Sequence, residues 1–103
     1  MAYKQQITNN AEKDLDDILG YIMTELCNMQ AALHMADEVE RHYTLLLNNP
    51  HLYEECQQPL LRSSHYRKVV IGGYLMIYRV DDMAGIIYIE RFFSDLQEYA
   101  AKL

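Results

Sequence analysis

The pair Gly72-Gly73 separates two runs rich in β-branched and aromatic residues, His65 to Ile71 and Tyr74 to Val80. Two adjacent glycines suit the positive φ angles of the two-residue turn that joins antiparallel strands. A third run of the same kind, Ile86 to Phe93, follows a short turn-like segment. These residues therefore predict three consecutive strands, of which the first two form a hairpin.

Two amphipathic helices are expected before the strands. In each of two stretches, apolar residues recur at the three-and-four spacing that places them on one helix face. The first helix is expected to begin near residue 10, where Thr8 and the two asparagines after it offer N-cap oxygens. The second follows a break at 27–29 and stops at Asn48-Asn49-Pro50. So short a break predicts an antiparallel helical hairpin.

The remaining segments complete the order of elements. Residues 3–8 are expected to form a short strand, and 95–103 a short terminal helix. Residues 50–64 show no period and predict a surface connection with room for one turn. The order βααβββα predicts one α+β domain over residues 1–103, in which the helical hairpin packs on a small, mainly antiparallel sheet.

Strand pairing sorts the side chains onto two sheet faces. If Ile71 pairs with Tyr74, Arg67 lies beside Tyr78, and we expect Val80 to pair with Ile86. The expected core face carries Val70, Leu75, Ile77, Ile87, Ile89 and Phe93, with Lys68, Arg79 and Arg91 among them. The other face is interpreted as a contact surface and carries Arg67, Val69, Tyr74, Met76, Tyr78, Tyr88, Glu90 and Phe92. A register one residue different would flip the last strand and move Arg91 to the second face; both registers stay open.

Charge and composition exclude several classes of protein. The net charge of −6 argues against indiscriminate binding to nucleic acid or acidic membranes. No apolar run approaches the roughly 20 residues that cross a bilayer, so a cytoplasmic protein without membrane contact is expected. Cys27 and Cys56 are expected to be reduced and partly buried. His34, Glu38 and His42 have ligand-like spacing but also suit an ordinary exposed helix face, so no metal or other cofactor is predicted.

The charge is unevenly distributed. Residues 1–55 hold ten carboxylates against three bases, whereas 62–79 carry four cations and no acid. If any part of the chain meets an anion, this basic stretch is the expected place.

The ordered set of elements and motifs resembles the RelE/ParE superfamily of bacterial toxins from type II toxin–antitoxin pairs. The resemblance rests on NNAEKDLDDILGYI, the alanines at 31 and 32, NNPHLY, YRKVVIGGYLMIYRVDD and IYIERFFSDLQEYAAKL. It implies a growth-inhibiting toxin that is silenced by a cognate antitoxin wrapped around the helical hairpin and sheet.

Two branches of the superfamily imply different targets. The ribonuclease branch cuts mRNA in the ribosome with several sheet cations and an acid/base residue near the C-terminus. Arg67 and Tyr99 match such catalytic positions, but Val69, Leu75 and Phe93 stand about where that branch has further bases. The ParE branch, which inhibits DNA gyrase by binding, therefore resembles this chain more closely. A ribosome-dependent endoribonuclease and a non-toxic antitoxin-binding module are the alternatives.

Four residues are the candidates for target binding: Arg67, Arg79, Arg91 and Tyr99. Each also has an ordinary structural interpretation. Arg79 and Arg91 end apolar strands, where either guanidinium could pair with Asp82, Glu90 or Asp95. Tyr99 could anchor the last helix by its ring.

Overall fold

The computed structural model describes residues 2–56 and 65–94. Its elements are β1 (Lys4–Ile7), α1 (Asn9–Thr24), α2 (Met29–Asn48), β2 (Tyr66–Ile71), β3 (Tyr74–Asp81) and β4 (Ile86–Phe93). This α+β arrangement confirms the predicted order of elements from β1 to β4. The predicted terminal helix, and Tyr99 with it, lies outside the described residues.

Side-chain caps begin both helices. The Thr8 hydroxyl accepts from the Ala11 backbone N–H at 3.0 Å and itself donates to the Glu90 carbonyl at 2.8 Å. The Asn28 side chain accepts from the Ala31 N–H at 3.0 Å. Each cap satisfies a donor that the first helical turn leaves unpaired. The bond from Thr8 also fixes the start of α1 against β4.

The four strands form one sheet in the order β1-β4-β3-β2, with β1 parallel to β4 and the other pairs antiparallel. Gly72 and Gly73 have φ angles of 57° and 85°, as the predicted hairpin turn requires. The expected pairing of Ile71 with Tyr74 and of Arg67 with Tyr78 is confirmed.

The pairing of β3 with β4 differs from the expected one. Val80 pairs with Ile87, not with Ile86, and Tyr78 pairs with Ile89. An irregularity follows, because the next pair is Ile77 with Arg91. This β-bulge reverses which side chains share a face along β4. The first half of β4 therefore follows the alternative register, whereas Arg91 pairs with Ile77 and so stays on the face of Leu75 and Ile77, as in the first register.

The prediction of the core face was wrong. The helices cover the face expected to be a contact surface, and the buried cluster there includes Val69, Met76, Tyr78 and Phe92, joined by Ile87 and Ile89. The expected core residues Leu75, Ile77 and Phe93 form a smaller cluster with Cys56. Because β3 buries Leu75, Met76, Ile77 and Tyr78 in succession, its sequence has no alternation to mark the helix-covered face.

Two further expectations concern the cysteines and the membrane. Both cysteines are free; Cys56 is buried, which raises the pKa of its thiol, whereas Cys27 is exposed, contrary to expectation.

In the described part of the chain, neither helix is long and apolar enough to cross a membrane.

Candidate functional site

A concave pocket of about 370 Å³ lies at the end of the sheet opposite the Gly72-Gly73 turn. We call it the end pocket. Its walls come from the α2–β2 connection, the start of β2, the end of β3 and the β3–β4 turn: His51, Glu55, His65, Arg67, Arg79, Val80, Asp81, Asp82 and Met83. Two predicted site residues, Arg67 and Arg79, are therefore brought together.

Arg67 is occupied by contacts within the chain. Its Nη1 donates to the Tyr53 carbonyl at 2.6 Å, and its Nη2 lies 3.7 Å from a Glu55 carboxylate oxygen. Glu55 also forms a β-bridge with Arg67, so the connection runs along the edge of β2. Only 16% of the Arg67 side chain is exposed. Through these contacts, Arg67 holds the α2–β2 connection against the sheet.

Arg79 is held differently. Its guanidinium carbon lies 4.5 Å from the centre of the Tyr88 ring, which is its partner in the β3–β4 pairing. Within residues 2–56 and 65–94, no carboxylate or other acceptor bonds to this guanidinium. A cation stacked on an aromatic face keeps its in-plane N–H groups available. Arg79 is therefore a cation available to a ligand.

The acidic side chains of the end pocket all have donors. Asp82 accepts from the Tyr3 hydroxyl at 2.6 Å and lies 3.0 Å from His51 Nε2, and these contacts lower the pKa of its carboxyl. Asp81 accepts from the Ala84 N–H at 3.0 Å. Glu55 lies 3.4 Å from His65 Nδ1 in addition to its contact with Arg67.

Tyr78 pairs with Arg67 across the β2–β3 ladder, belongs to the helix-covered core cluster and is fully buried. Its ring meets the Tyr53 ring edge-on at 6.5 Å. No partner among the described residues satisfies its hydroxyl. Burial raises the pKa of Tyr78 to about 12. From the sequence, Tyr78 is expected on a contact surface, whereas the packing of the helices buries its hydroxyl.

Arg91 lies away from the end pocket and is tied to α1. Its Nε and Nη2 donate to the two carboxylate oxygens of Asp14 at 2.6 and 3.1 Å, which raises the pKa of Arg91. Asp14 also accepts from the Phe92 N–H at 3.1 Å. The partner is thus none of the three acids considered from the sequence. Asp14 could not be identified as this partner from the sequence, because only the packing of α1 across β4 brings the two residues together.

A second surface follows α1, and we call it the α1 groove. It consists of adjoining depressions that share Ile18, Asp17 and Tyr74 and run from the Asp14–Arg91 pair to the β2–β3 turn. At the turn end it is mostly apolar and is lined by Ile22, Leu26, Ala31, His34, Met35, Glu38, Gly72 and Tyr74. Tyr21 and Leu26 are 51% and 55% exposed along it. Exposed apolar side chains in a groove are typical of a protein-binding surface.

The spaced polar residues of α2 do not form a metal site. His42 is buried, and its Nδ1 lies 2.8 Å from the Glu38 carbonyl, while Glu38 pairs with Arg41. Within the described ranges, no group of three His, Cys, Asp or Glu side chains is placed to hold a metal ion.

Comparison with known proteins then decides the family. The model of the family described as the ParE toxin of the type II toxin–antitoxin system matches residues 6–99. The chain belongs to the ParE toxin family. This membership confirms the resemblance to the RelE/ParE superfamily.

Solved structures show the same fold. The ParE-family chain described here is similar to a chain of the chromosomal ParDE system from P. aeruginosa, with a TM-score of 0.69, 18% identity and coverage of 89% of this chain and 95% of that one. It is also similar to a chain of the RelBE2 toxin–antitoxin complex from Mycobacterium tuberculosis, with a TM-score of 0.60, 20% identity and coverage of 90% and 98%. No curated protein sequence matches it significantly.

Proposed function

We propose that this ParE-family toxin stops growth by binding DNA gyrase, without cutting RNA, and that a cognate antitoxin neutralises it. The observation that carries the proposal is the match to the ParE toxin family over residues 6–99. Both solved structures are described as a toxin–antitoxin system or complex, which supports an antitoxin as a partner.

The placement of the cations supports binding over catalysis. Cleavage of RNA beside a 2′-hydroxyl needs a base, an acid and cations that converge on one phosphate. Arg67 and Arg91 are instead engaged by acids in different parts of the fold. Val69, Leu75 and Phe93, at the positions where the ribonuclease branch carries bases, are buried in apolar clusters.

The α1 groove is the surface that best fits an antitoxin segment. Its apolar stretch between α1, α2 and the β2–β3 turn would take the apolar side of a helix or extended strand. Asp17 and Glu38 flank it, and the first 55 residues carry ten carboxylates. A basic segment would therefore be favoured over an acidic one, both in approach and in final contact.

Controlled expression of the chain alone in a bacterium tests the mode of action. We expect growth arrest and a DNA-damage response, while labelled amino acids are still incorporated during the first minutes. Purified chain should also inhibit supercoiling by purified gyrase. Prompt collapse of translation with cut mRNA would instead establish a ribosome-dependent endoribonuclease. Unaffected growth and supercoiling would leave only an antitoxin-binding module.

Two substitutions sharpen this test. In a nuclease, Tyr99→Phe or Arg67→Ala should lower cleavage by orders of magnitude, because these residues would act in the transition state. In a binding inhibitor, Tyr99→Phe should weaken inhibition of gyrase only gradually. Loss of all toxicity from this single hydroxyl would contradict inhibition by binding.

The antitoxin surface is tested separately. Leu26→Glu places a charge in the apolar end of the α1 groove and should abolish neutralisation by a co-expressed antitoxin while toxicity is kept. Leu52→Glu is the matched control, since Leu52 is 49% exposed and lines none of the groove. Neutralisation of the Leu26→Glu variant as efficient as that of the control would show that the antitoxin binds elsewhere.

A further inference from the structure

We infer that the end pocket binds the carboxylate of an acidic side chain on a protein partner, with Arg79 as the residue that receives it. This site is separate from the α1 groove and goes beyond the proposed action on gyrase, since it names the chemistry that any partner at this end of the sheet must supply.

Most charged side chains of the end pocket are paired within the fold. Asp81, Asp82 and Glu55 each contact at least one donor within the fold. Arg67 is likewise engaged, by Glu55 and by the Tyr53 carbonyl. Of the two arginines, only Arg79 has no hydrogen-bond acceptor among the described residues. The pocket therefore lacks one acceptor, and an acidic group from outside would supply it.

The geometry of Arg79 suits a carboxylate. The Tyr88 ring supports one face of the guanidinium at 4.5 Å, so the side chain is already ordered before a ligand arrives. The N–H groups of a guanidinium lie in one plane, and two of them can donate in parallel to the two oxygens of one carboxylate. Binding would therefore cost little side-chain entropy, and two hydrogen bonds could form at once.

The charges of the end pocket favour a protein over a nucleic acid as the partner. The three carboxylates of the end pocket would repel a phosphate chain, which brings one negative charge per nucleotide. A single carboxylate next to an apolar side chain avoids most of that repulsion. The rim offers an apolar contact, because the fully exposed Met83 lines the pocket. Flexible methionines at a rim suit contact with a protein side chain.

Nuclear magnetic resonance on the full isotope-labelled chain, made by cell-free synthesis, tests the inference. The probe is a blocked hexapeptide that contains adjacent glutamate and leucine residues. We expect a saturable shift of the Arg79 Nε–H signal with this peptide. The same peptide with glutamine for glutamate should bind at least about tenfold more weakly, because its neutral amide forms no charge-assisted pair. Inorganic phosphate is titrated in parallel.

Variants complete the experiment. Arg79→Gln should remove the saturable shift of the neighbouring backbone signals, and Arg79→Lys should retain only part of the affinity, because an ammonium cannot form the two parallel bonds. Arg41→Gln, in an exposed pair on α2, is the control that should bind like the unmodified chain. Three results would overturn the inference: no shift at Arg79 in the unmodified chain, equal affinity for both peptides, or tighter binding of phosphate than of the acidic peptide. None of them depends on gyrase.

Discussion

Arg79 and Arg91 come from similar sequence contexts but lie in opposite situations. Each stands in an apolar strand, and each guanidinium lies over an aromatic ring, of Tyr88 at 4.5 Å and of Phe93 at 5.1 Å. Arg91 forms a forked pair with Asp14, whereas no described acid reaches Arg79. The strand position of a cation therefore does not reveal whether it is available; the element that crosses the strand decides it.

The same contrast extends to the polar groups around each arginine. Pairing of β1 with β4 ends at Ile89, and beyond that point Asp14 accepts from the Phe92 N–H. At the other end of the sheet, the Tyr78 hydroxyl has no described partner. The polar groups around Arg91 are thus paired within the fold, whereas the Tyr78 hydroxyl is buried without a described partner and does not line the end pocket.

The largest expected loss of stability is at the end of the sheet where Arg91 pairs with Asp14. Asp14→Ala removes three hydrogen bonds and leaves a partly buried guanidinium and a partly buried backbone N–H without their acceptor. We expect the free energy of unfolding, measured with urea, to fall by about 2–4 kcal/mol.

Asp17→Ala is the matched control, because the Asp17 pair with Lys13 is exposed on the same helix. It should change the free energy of unfolding by at most about 0.5 kcal/mol. If both substitutions had the same small effect, the Asp14–Arg91 pair would contribute no more to stability than the exposed Asp17–Lys13 pair does.

Arg67 provides the next test. It lies at the end pocket, but like Arg91 it is held by acceptors within the chain. Arg67→Met keeps most of the apolar stem and removes the bond to the Tyr53 carbonyl. We expect a loss of about 2 kcal/mol in the urea experiment, because a charge-assisted bond to a backbone acceptor is removed. Faster hydrogen exchange in residues 51–56 should accompany it. Unchanged exchange there would mean that the connection is held by other contacts.

Tyr78 predicts an alkaline instability at the same end. Its pKa of about 12 in the folded chain exceeds the ordinary value of 10, so the folded state holds this proton more tightly. Stability is therefore complete below pH 10 and is lost as the pH rises toward 12, by about 1 kcal/mol near pH 11. Tyr78→Phe should remove this share of the loss and should not destabilise the chain at pH 7, since the hydroxyl has no described partner.

Tyr43 is the comparison for that measurement, because burial raises its pKa to about 12 as well. Tyr43→Phe should flatten the alkaline loss by a similar amount, and the double variant should flatten it further. A pH profile that Tyr78→Phe leaves unchanged would show that the hydroxyl is less buried than its contacts indicate.

Local chemistry explains what could be predicted from the sequence. Gly72-Gly73 determines its turn, and the Thr8 cap determines where α1 begins, because each depends on residues close in the chain. The register of β4 depends on a bulge whose cause is not local. The core face was misassigned because β3 is buried on both sides, so its pattern carries no period of two.

The candidate site shows the same limit. Arg67 and Arg79 both line the end pocket, but Arg67 pairs with Tyr78 and Arg79 with Tyr66, so the predicted hairpin alone does not bring the two arginines together. The partner of Arg91 lies 77 residues away on α1, so no spacing rule could find it. Tyr99 lies outside the described residues and stays a prediction.

The smallest expected effect completes the comparison of the two arginines. Arg79→Gln removes a cation that no described acid pairs with, so only its contact with the Tyr88 ring is lost. We expect the free energy of unfolding to fall by at most about 0.5–1 kcal/mol, the usual size of an exposed cation–π contact. Urea denaturation beside Asp14→Ala measures the difference between the two ends directly. A loss for Arg79→Gln as large as that for Asp14→Ala would mean that Arg79 serves the fold, and its claim to be a ligand-binding residue would fail.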